Sequence, residues 1–146
     1  MGATPFEVPK RECIELLQHE TVGRLCIIEH GYPLAFPVNY RVMETADALR
    51  IVVRTIPRAA LARYEGPASF EVDHVDVDRL NAWSVIVRGC LKRIVGEAEL
   101  PDTYPLVADG RFQWVVLDVT AISGRRFTST HSPEAFCADW EPAGTS

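Results

Sequence analysis

The chain has 146 residues, 47% of them apolar and 24% charged, with a formal net charge of -5. That length and balance suit one folded domain with its own core and argue against overall disorder. The acidic surplus argues against a general nucleic-acid or anionic-membrane surface, and no apolar run approaches the roughly 20 residues of a membrane-spanning helix.

Pro9 precedes KRECIELLQHE, in which Cys13, Leu16 and Leu17 recur at helical spacing, so a helix is expected over 10–19. TVGRLCIIE (21–29) reads as a strand, His30-Gly31 as a tight turn, and YPLAFPVNYRV (32–42) as the returning partner. Pro33 and Pro37 cannot donate to a ladder, which predicts an edge or bulged strand. After the turn ETADA, LRIVVRT (49–55) is a strand rich in β-branched residues. PRAALARYE (57–65) reads as a short helix ended by Gly66-Pro67. In ASFEVDHVDVD, Phe70 and Val72 alternate with Glu71 and Asp73, and the apolar phase slips at His74. The slip predicts a bulge there or the end of the strand.

AWSVIVRGCLKRIVGEAEL (82–100) is too long for an ordinary strand, and Gly89 in its middle predicts a bend of the kind that turns a barrel corner. A turn of helix is expected in PDTYPLVAD (101–109). RFQWVVLDVTAISGRRF (111–127) is the last strand, with Phe112, Trp114 and Val116 on one face and Val115, Leu117 and Val119 on the other. Residues 131–146 form a tail of small and acidic residues beside a domain spanning 1–130, either loose or packing Phe136 and Trp140 onto a neighbour. Six strands and two or three short helices make a mainly β fold. Runs that are apolar on both faces, as at 85–87 and 115–117, need cover on both sides. A small closed barrel supplies it inside and a second subunit outside.

Cys13, Cys26, Cys90 and Cys137 are scattered, as are the four histidines, with no C-x-x-C pair and no zinc spacing. No metal site is expected, and the thiols read as reduced cysteines of a cytoplasmic protein. The N-terminus lacks a basic region followed by an apolar segment, so no secretory leader is expected.

Four stretches bear on function, and each has a plain structural reading beside the functional one. Arg54 and Thr55 end a strand just before a predicted helix, where a guanidinium, a hydroxyl and free N–H groups together suit an anion. Equally, the arginine is a solvated strand end and the threonine a simple cap. Arg58 adds a second cation one turn on. In FPVNY (36–40) a proline-interrupted edge leaves backbone groups open and Asn39 adds an amide, which suits a planar heterocycle or describes an ordinary edge strand. In AWSV (82–85) Trp83 either stacks on a ligand or fills core, with Ser84 on the opposite face. In GRRF (124–127) the two arginines point to opposite faces, one toward an anion or carboxylate and the other toward solvent. Glu71 and Asp73 sit on an outward face, where solvation accounts for them. No G-x-S-x-G, H-E-x-x-H, P-loop or G-x-G-x-x-G is present, so no catalytic side chain is identified and any chemistry is expected from a bound cofactor.

In order, ECIELLQHETVGRLCI, PLAFPVNYRV, IVVRT, FEVD, AWSVIVRG and ISGRRF resemble the pyridoxamine 5'-phosphate oxidase-like proteins, in the branch that includes nitroimidazole-resistance-type proteins. The likeness runs from about residue 12 to 127. It implies a six-stranded split β-barrel of Greek-key type, a homodimer, and FMN at the subunit interface. Position by position, it places Pro37, Val38, Asn39 and Tyr40 along the isoalloxazine edge, and Arg54 and Thr55 where the phosphate is held, with Val53 beside them among the cofactor-binding residues. Arg58, Ala60 and Leu61 follow in the same segment. Ser84 falls where a polar side chain of the second subunit approaches the flavin, with Trp83 beside it, and Trp114 and Arg125 fall on the far wall.

One departure stands out. Where the family pattern continues after Arg-Thr with two residues and then Gly-x-Lys, this chain has Arg58 for the glycine and Ala60 for the phosphate-binding lysine. Ala82 stands where glycine commonly precedes Trp-Ser. As a whole the resemblance implies a flavin-dependent oxidoreductase acting on a small molecule, while the Ala60 departure favours the first of the alternatives. The alternatives are a binding protein on the same barrel, without turnover or with a deazaflavin coenzyme or haem, and a structural or regulatory dimer with an empty cleft.

Overall fold

The computed structural model describes residues 4–56, 59–94 and 113–128, and the predicted helical turn at 101–109 and the tail at 131–146 lie outside them. Helix α1 (Lys10–His19) starts immediately after Pro9, which stands at its N-cap, and buries Cys13, Ile14 and Leu17. Strands β2 (Val22–Glu29) and β3 (Tyr32–Glu44) form a hairpin closed by a two-residue turn, with Glu29 opposite Tyr32 and both His30 and Gly31 at positive φ. That turn matches the right-handed twist of the flanking strands. β4 (Leu49–Thr55) returns from β3 and leads to a four-residue helix, α2 (Ala60–Arg63). β5 (Gly66–Asp76) and β6 (Asn81–Arg93) make the next hairpin, and β7 (Gln113–Thr128) is the longest strand.

All pairings are antiparallel. The strands run in the order β7-β4-β3-β2-β5-β6, and β6 pairs back onto β7, closing a barrel. Closure lets every inward residue meet apolar neighbours across the lumen. Leu25, Ile51, Val53, Phe70, Val72, Val85, Val87, Leu91, Val115 and Leu117 are fully buried there, and Leu17 and Cys13 of α1 join the same cluster. A second, outer cluster holds Val52, Ile94 and Val116, with Met43 and Trp114 against it.

The mainly β barrel agrees with the sequence reading, and four local expectations need correction. β1 (Thr4–Val8) is a seventh strand where six are expected. Five residues are too few to show alternation, and β1 forms because β7 offers an edge, with Phe6 opposite Arg126 and Val8 opposite Gly124. β3 is not an edge strand, since it lies between β2 and β4. Its proline-bearing half, however, pairs with β2 alone, and pairing with β4 begins only at Tyr40. Pro33 and Pro37 have the same strand parity, so their missing N–H groups face that open side, where the prolines guard it against strand addition. The phase slip at His74 is neither a bulge nor a strand end, because β5 keeps one register with β6 from Gly66–Leu91 to Asp76–Asn81. Val75 is simply an exposed apolar residue on a ribbon beyond the barrel wall. Finally, of the expected helix over 57–65 the described residues show only α2, with Ala59 rather than Thr55 at its N-cap and no side-chain cap. Thr55 belongs to β4, opposite Gln113.

The bend expected at Gly89 is present as a register shift between Arg88 and Gly89, which leaves Thr120 of β7 extra. A Cβ at Gly89 would stand 2.0 Å from the backbone oxygen of Asp118, so only glycine lets the two strands approach there.

Candidate functional site

Strand parity decides which side chains leave the barrel. On β3, Tyr40 and Val42 belong to the interior cluster, so Asn39 and Arg41 face outward. On β4, Ile51 and Val53 are interior, so Val52 and Arg54 face outward. Register then sets the neighbours. Arg54 lies opposite Trp114, and Val52 lies between Arg41 on one side and Val116 on the other. These residues, with Thr21, line a cleft of about 310 Å³ on the outer face. Its floor is the buried Val52, its wall the half-buried indole of Trp114, and its charge comes from two exposed guanidiniums, Arg41 and Arg54. An adjoining hollow shares Thr21, Tyr40 and Arg41 and adds Gln18 and Glu20.

The cleft's chemistry is that of holding rather than of proton transfer. Both cationic groups are guanidiniums, which keep their charge and present planar forks of donors. Tyr40 donates its hydroxyl inward to the Leu17 carbonyl and meets Phe70 edge-on, ring centroids 4.8 Å apart. Burial pushes its phenol pKa well above the usual range. Tyr40 is therefore a pin between β3 and α1 and not an acid in the cleft.

A second hollow of about 490 Å³ lies elsewhere on the barrel, against β1, β6 and β7. Ser84 and Arg88 of β6 line it with Arg125 of β7 and Glu7 of β1. Ser84 faces Arg125 across the ladder and is only 7% exposed. Arg126, on the other face of β7, pairs with Glu12 at 2.7 Å, as one of the two readings of GRRF expects.

The residues singled out from the sequence thus divide into three groups. Asn39, Tyr40, Arg54 and Trp114 meet at the first cleft. Ser84 and Arg125 meet at the second hollow. Trp114 and Arg125 are eleven positions apart on β7, roughly 36 Å of strand at 3.3 Å per residue. The two hollows share no lining residue within one chain. Val38, Val53, Ala60, Leu61 and Trp83 pack on the main core instead, and Pro37 is exposed at the open side of β3. Arg58 lies outside the described residues. Arg41 was not singled out, although one signal for it was present: two residues after Asn39 on one strand, it must share Asn39's face.

Among the described residues no cluster of His, Cys, Asp and Glu could hold a metal ion, and no helix is long and apolar enough to cross a membrane. Solvation does not by itself account for the carboxylate pair on the outer face. Arg24 reaches Glu71 at 2.8 Å and Asp73 at 3.3 Å. Burial, with the neighbouring Asp73 adding to it, pushes the Glu71 pKa up to about 7. A carboxyl raised above its unfolded value binds more protons in the folded state, so its stabilising contribution is complete below pH ~4.5 and fades as pH rises through about 7. Glu71→Gln should remove this pH-dependent loss, read as a flatter dependence of the urea midpoint on pH between 4.5 and 7. Parallel curves for variant and parent would rule it out.

The family model described as pyridoxamine 5'-phosphate oxidase matches residues 9–126 of the chain. Among solved structures, the FAD binding protein from Mycobacterium smegmatis is 28% identical, with a TM-score of 0.70 over 85% of this chain and 99% of its own. A conserved protein of unknown function from Corynebacterium diphtheriae is 25% identical, with a TM-score of 0.69 over 85% of this chain and 98% of its own. A pyridoxamine 5'-phosphate oxidase-related, FMN binding protein from Nostoc punctiforme shares the fold at 16% identity and a TM-score of 0.56, covering 80% of this chain and 83% of its own. No curated protein matches the chain.

Proposed function

The chain belongs to the pyridoxamine 5'-phosphate oxidase family, and from that premise we propose that it binds a flavin, FMN or FAD, and serves as a flavin-dependent oxidoreductase for a small molecule. The observation that carries this reading is the outer cleft, where Asn39, Arg54 and Trp114 converge. Its parts fit the group. Guanidiniums suit the phosphate end, an amide and the open side of β3 suit the ring's carbonyls and nitrogens, and an indole suits its face. The 28% identical Mycobacterium smegmatis relative is an FAD binding protein, which supports a flavin as the ligand.

Bound flavin would supply the electron transfer, and the chain's residues would orient it and exclude water. Arg54 holds the acidic end. Asn39 fixes the ring's polar edge. Trp114 closes one side, with Val52 as an apolar floor. The second hollow enters through a second copy of the chain. Because Ser84 and Arg125 lie too far along the fold to reach the first cleft of their own chain, a homodimer that sets this hollow against the partner's cleft would assemble one complete site from two halves. Ser84, buried with its hydroxyl toward a shared ligand, would then gain a partner.

A second reading is a flavin or deazaflavin binding protein without turnover. The observation favouring it is that Ala60 packs on the core where the family pattern has a phosphate-binding lysine. The visible absorption of the purified protein, together with its mass in solution, tests both. A yellow dimer supports flavin binding at a shared site, and reduction by NADH or NADPH with turnover separates the oxidoreductase from the binding protein. A colourless protein that takes up neither FMN nor FAD rules out the flavin reading.

A further inference from the structure

We propose that Arg41 is a second cationic anchor for the ligand's acidic end, acting with Arg54 on a phosphate group that carries two negative charges; this rests on the flavin reading above. The family pattern places its second cation after the strand, at the position of Ala60. That position carries no charge here. The Ala60 methyl packs against the main core, and α2 is too short, and starts too late, to offer its N-terminus. The structure supplies the missing charge from the opposite direction. Arg41 comes from the neighbouring strand β3, one step along the same outward face from Asn39.

The register makes the convergence specific. Arg41 is paired with Val52, and Arg54 follows Val52 by two residues, so the two arginines are diagonal neighbours on one face. Diagonal positions on an antiparallel pair have Cα atoms about 7–8 Å apart, within reach of long side chains that bend toward a common group. The residue beneath them is Val52, fully buried and too small to hold them apart. Two planar forks meeting over an apolar floor match the several oxygens of a phosphomonoester or a diphosphate. A neutral flavin without phosphate would gain nothing from Arg41.

The test is fluorescence titration of the full chain with riboflavin, FMN and FAD, for the parent, Arg41→Ala and Arg41→Lys, each checked for an unchanged melting temperature. Arg41→Ala should weaken FMN and FAD by roughly tenfold or more and leave riboflavin unchanged, and Arg41→Lys should recover part of the loss. The larger loss, for FMN or for FAD, identifies which phosphate group is the ligand. Equal losses for riboflavin and FMN, or no loss for any, would overturn the proposal. If the parent takes up none of the three flavins, the flavin reading fails, and inorganic pyrophosphate decides Arg41 separately. Thermal stabilisation of the parent by pyrophosphate that Arg41→Ala abolishes upholds a phosphate anchor, and no stabilisation of the parent rejects it.

Discussion

Phe70→Ala is expected to destabilise the fold by about 3–5 kcal/mol, the largest effect of any single substitution considered. Phe70 is fully buried at the centre of the main core. β5 is paired on both sides there, with Leu25 opposite Phe70 on β2 and Val87 opposite it on β6. The ring fills the space left by a glycine on β2. A Cβ at Gly23 would stand 2.3 Å from the ring's Cζ. The strands around the lumen are tied by closure of the barrel, so they cannot collapse into the space a truncated side chain leaves, and the cavity term is felt in full. Domains of this size are stable by only about 5–15 kcal/mol in total. A lower urea midpoint with an unchanged slope is the expected result, and Phe70→Leu should cost much less because it keeps most of the volume. Removal of the ring also takes away the edge-on partner of Tyr40, which pins β3 beside Asn39 and Arg41. A variant as stable as the parent would mean that the lumen is not packed as described.

Arg54→Ala should act on binding and spare the fold. Its side chain is exposed, and substitutions at such positions usually change stability by less than about 0.5 kcal/mol. Loss of a charge-assisted hydrogen bond to a phosphate removes about 1.5–3 kcal/mol, a fall in affinity of roughly 10- to 150-fold. The loss should exceed that from Arg41→Ala. Arg54 sits directly across from Trp114, nearer than Arg41 to the indole that walls the cleft. FMN affinity measured by fluorescence quenching, beside an unfolding curve, separates the two effects. Unchanged affinity would remove the phosphate from this end of the cleft.

Much of the architecture is legible along the chain. The helical spacing after Pro9 places α1 at Lys10–His19, and the β-branched run places β4 at Leu49–Thr55. The turn at His30-Gly31 and the bend at Gly89 are also where the residues predict them. In each case the signal is local: a period, a cap, or a glycine that the backbone requires. The readings that fail are those in which a distant element decides. β1 is a strand only because β7 lies open beside it, and the helix expected after Thr55 shrinks to α2. Val75 falls out of phase without penalty because the ribbon there has left the barrel wall.

The site shows the same division. Residues 39, 40, 54, 84, 114 and 125 announce an amide, cations, hydroxyls and an indole, and alternation says which of them share a face. Family membership, too, is carried by the ordered motifs. What the sequence does not contain is the register between strands far apart in the chain. Barrel closure sets that register, through antiparallel pairing of β4 with β7 and β6 with β7. Only this closure brings Trp114 beside Arg54. Ser84 and Arg125 meet in a separate hollow, apart from the first cleft of their own chain. Local periodicity orients a side chain, whereas its neighbours across the sheet depend on long-range contacts that no short stretch of chain encodes.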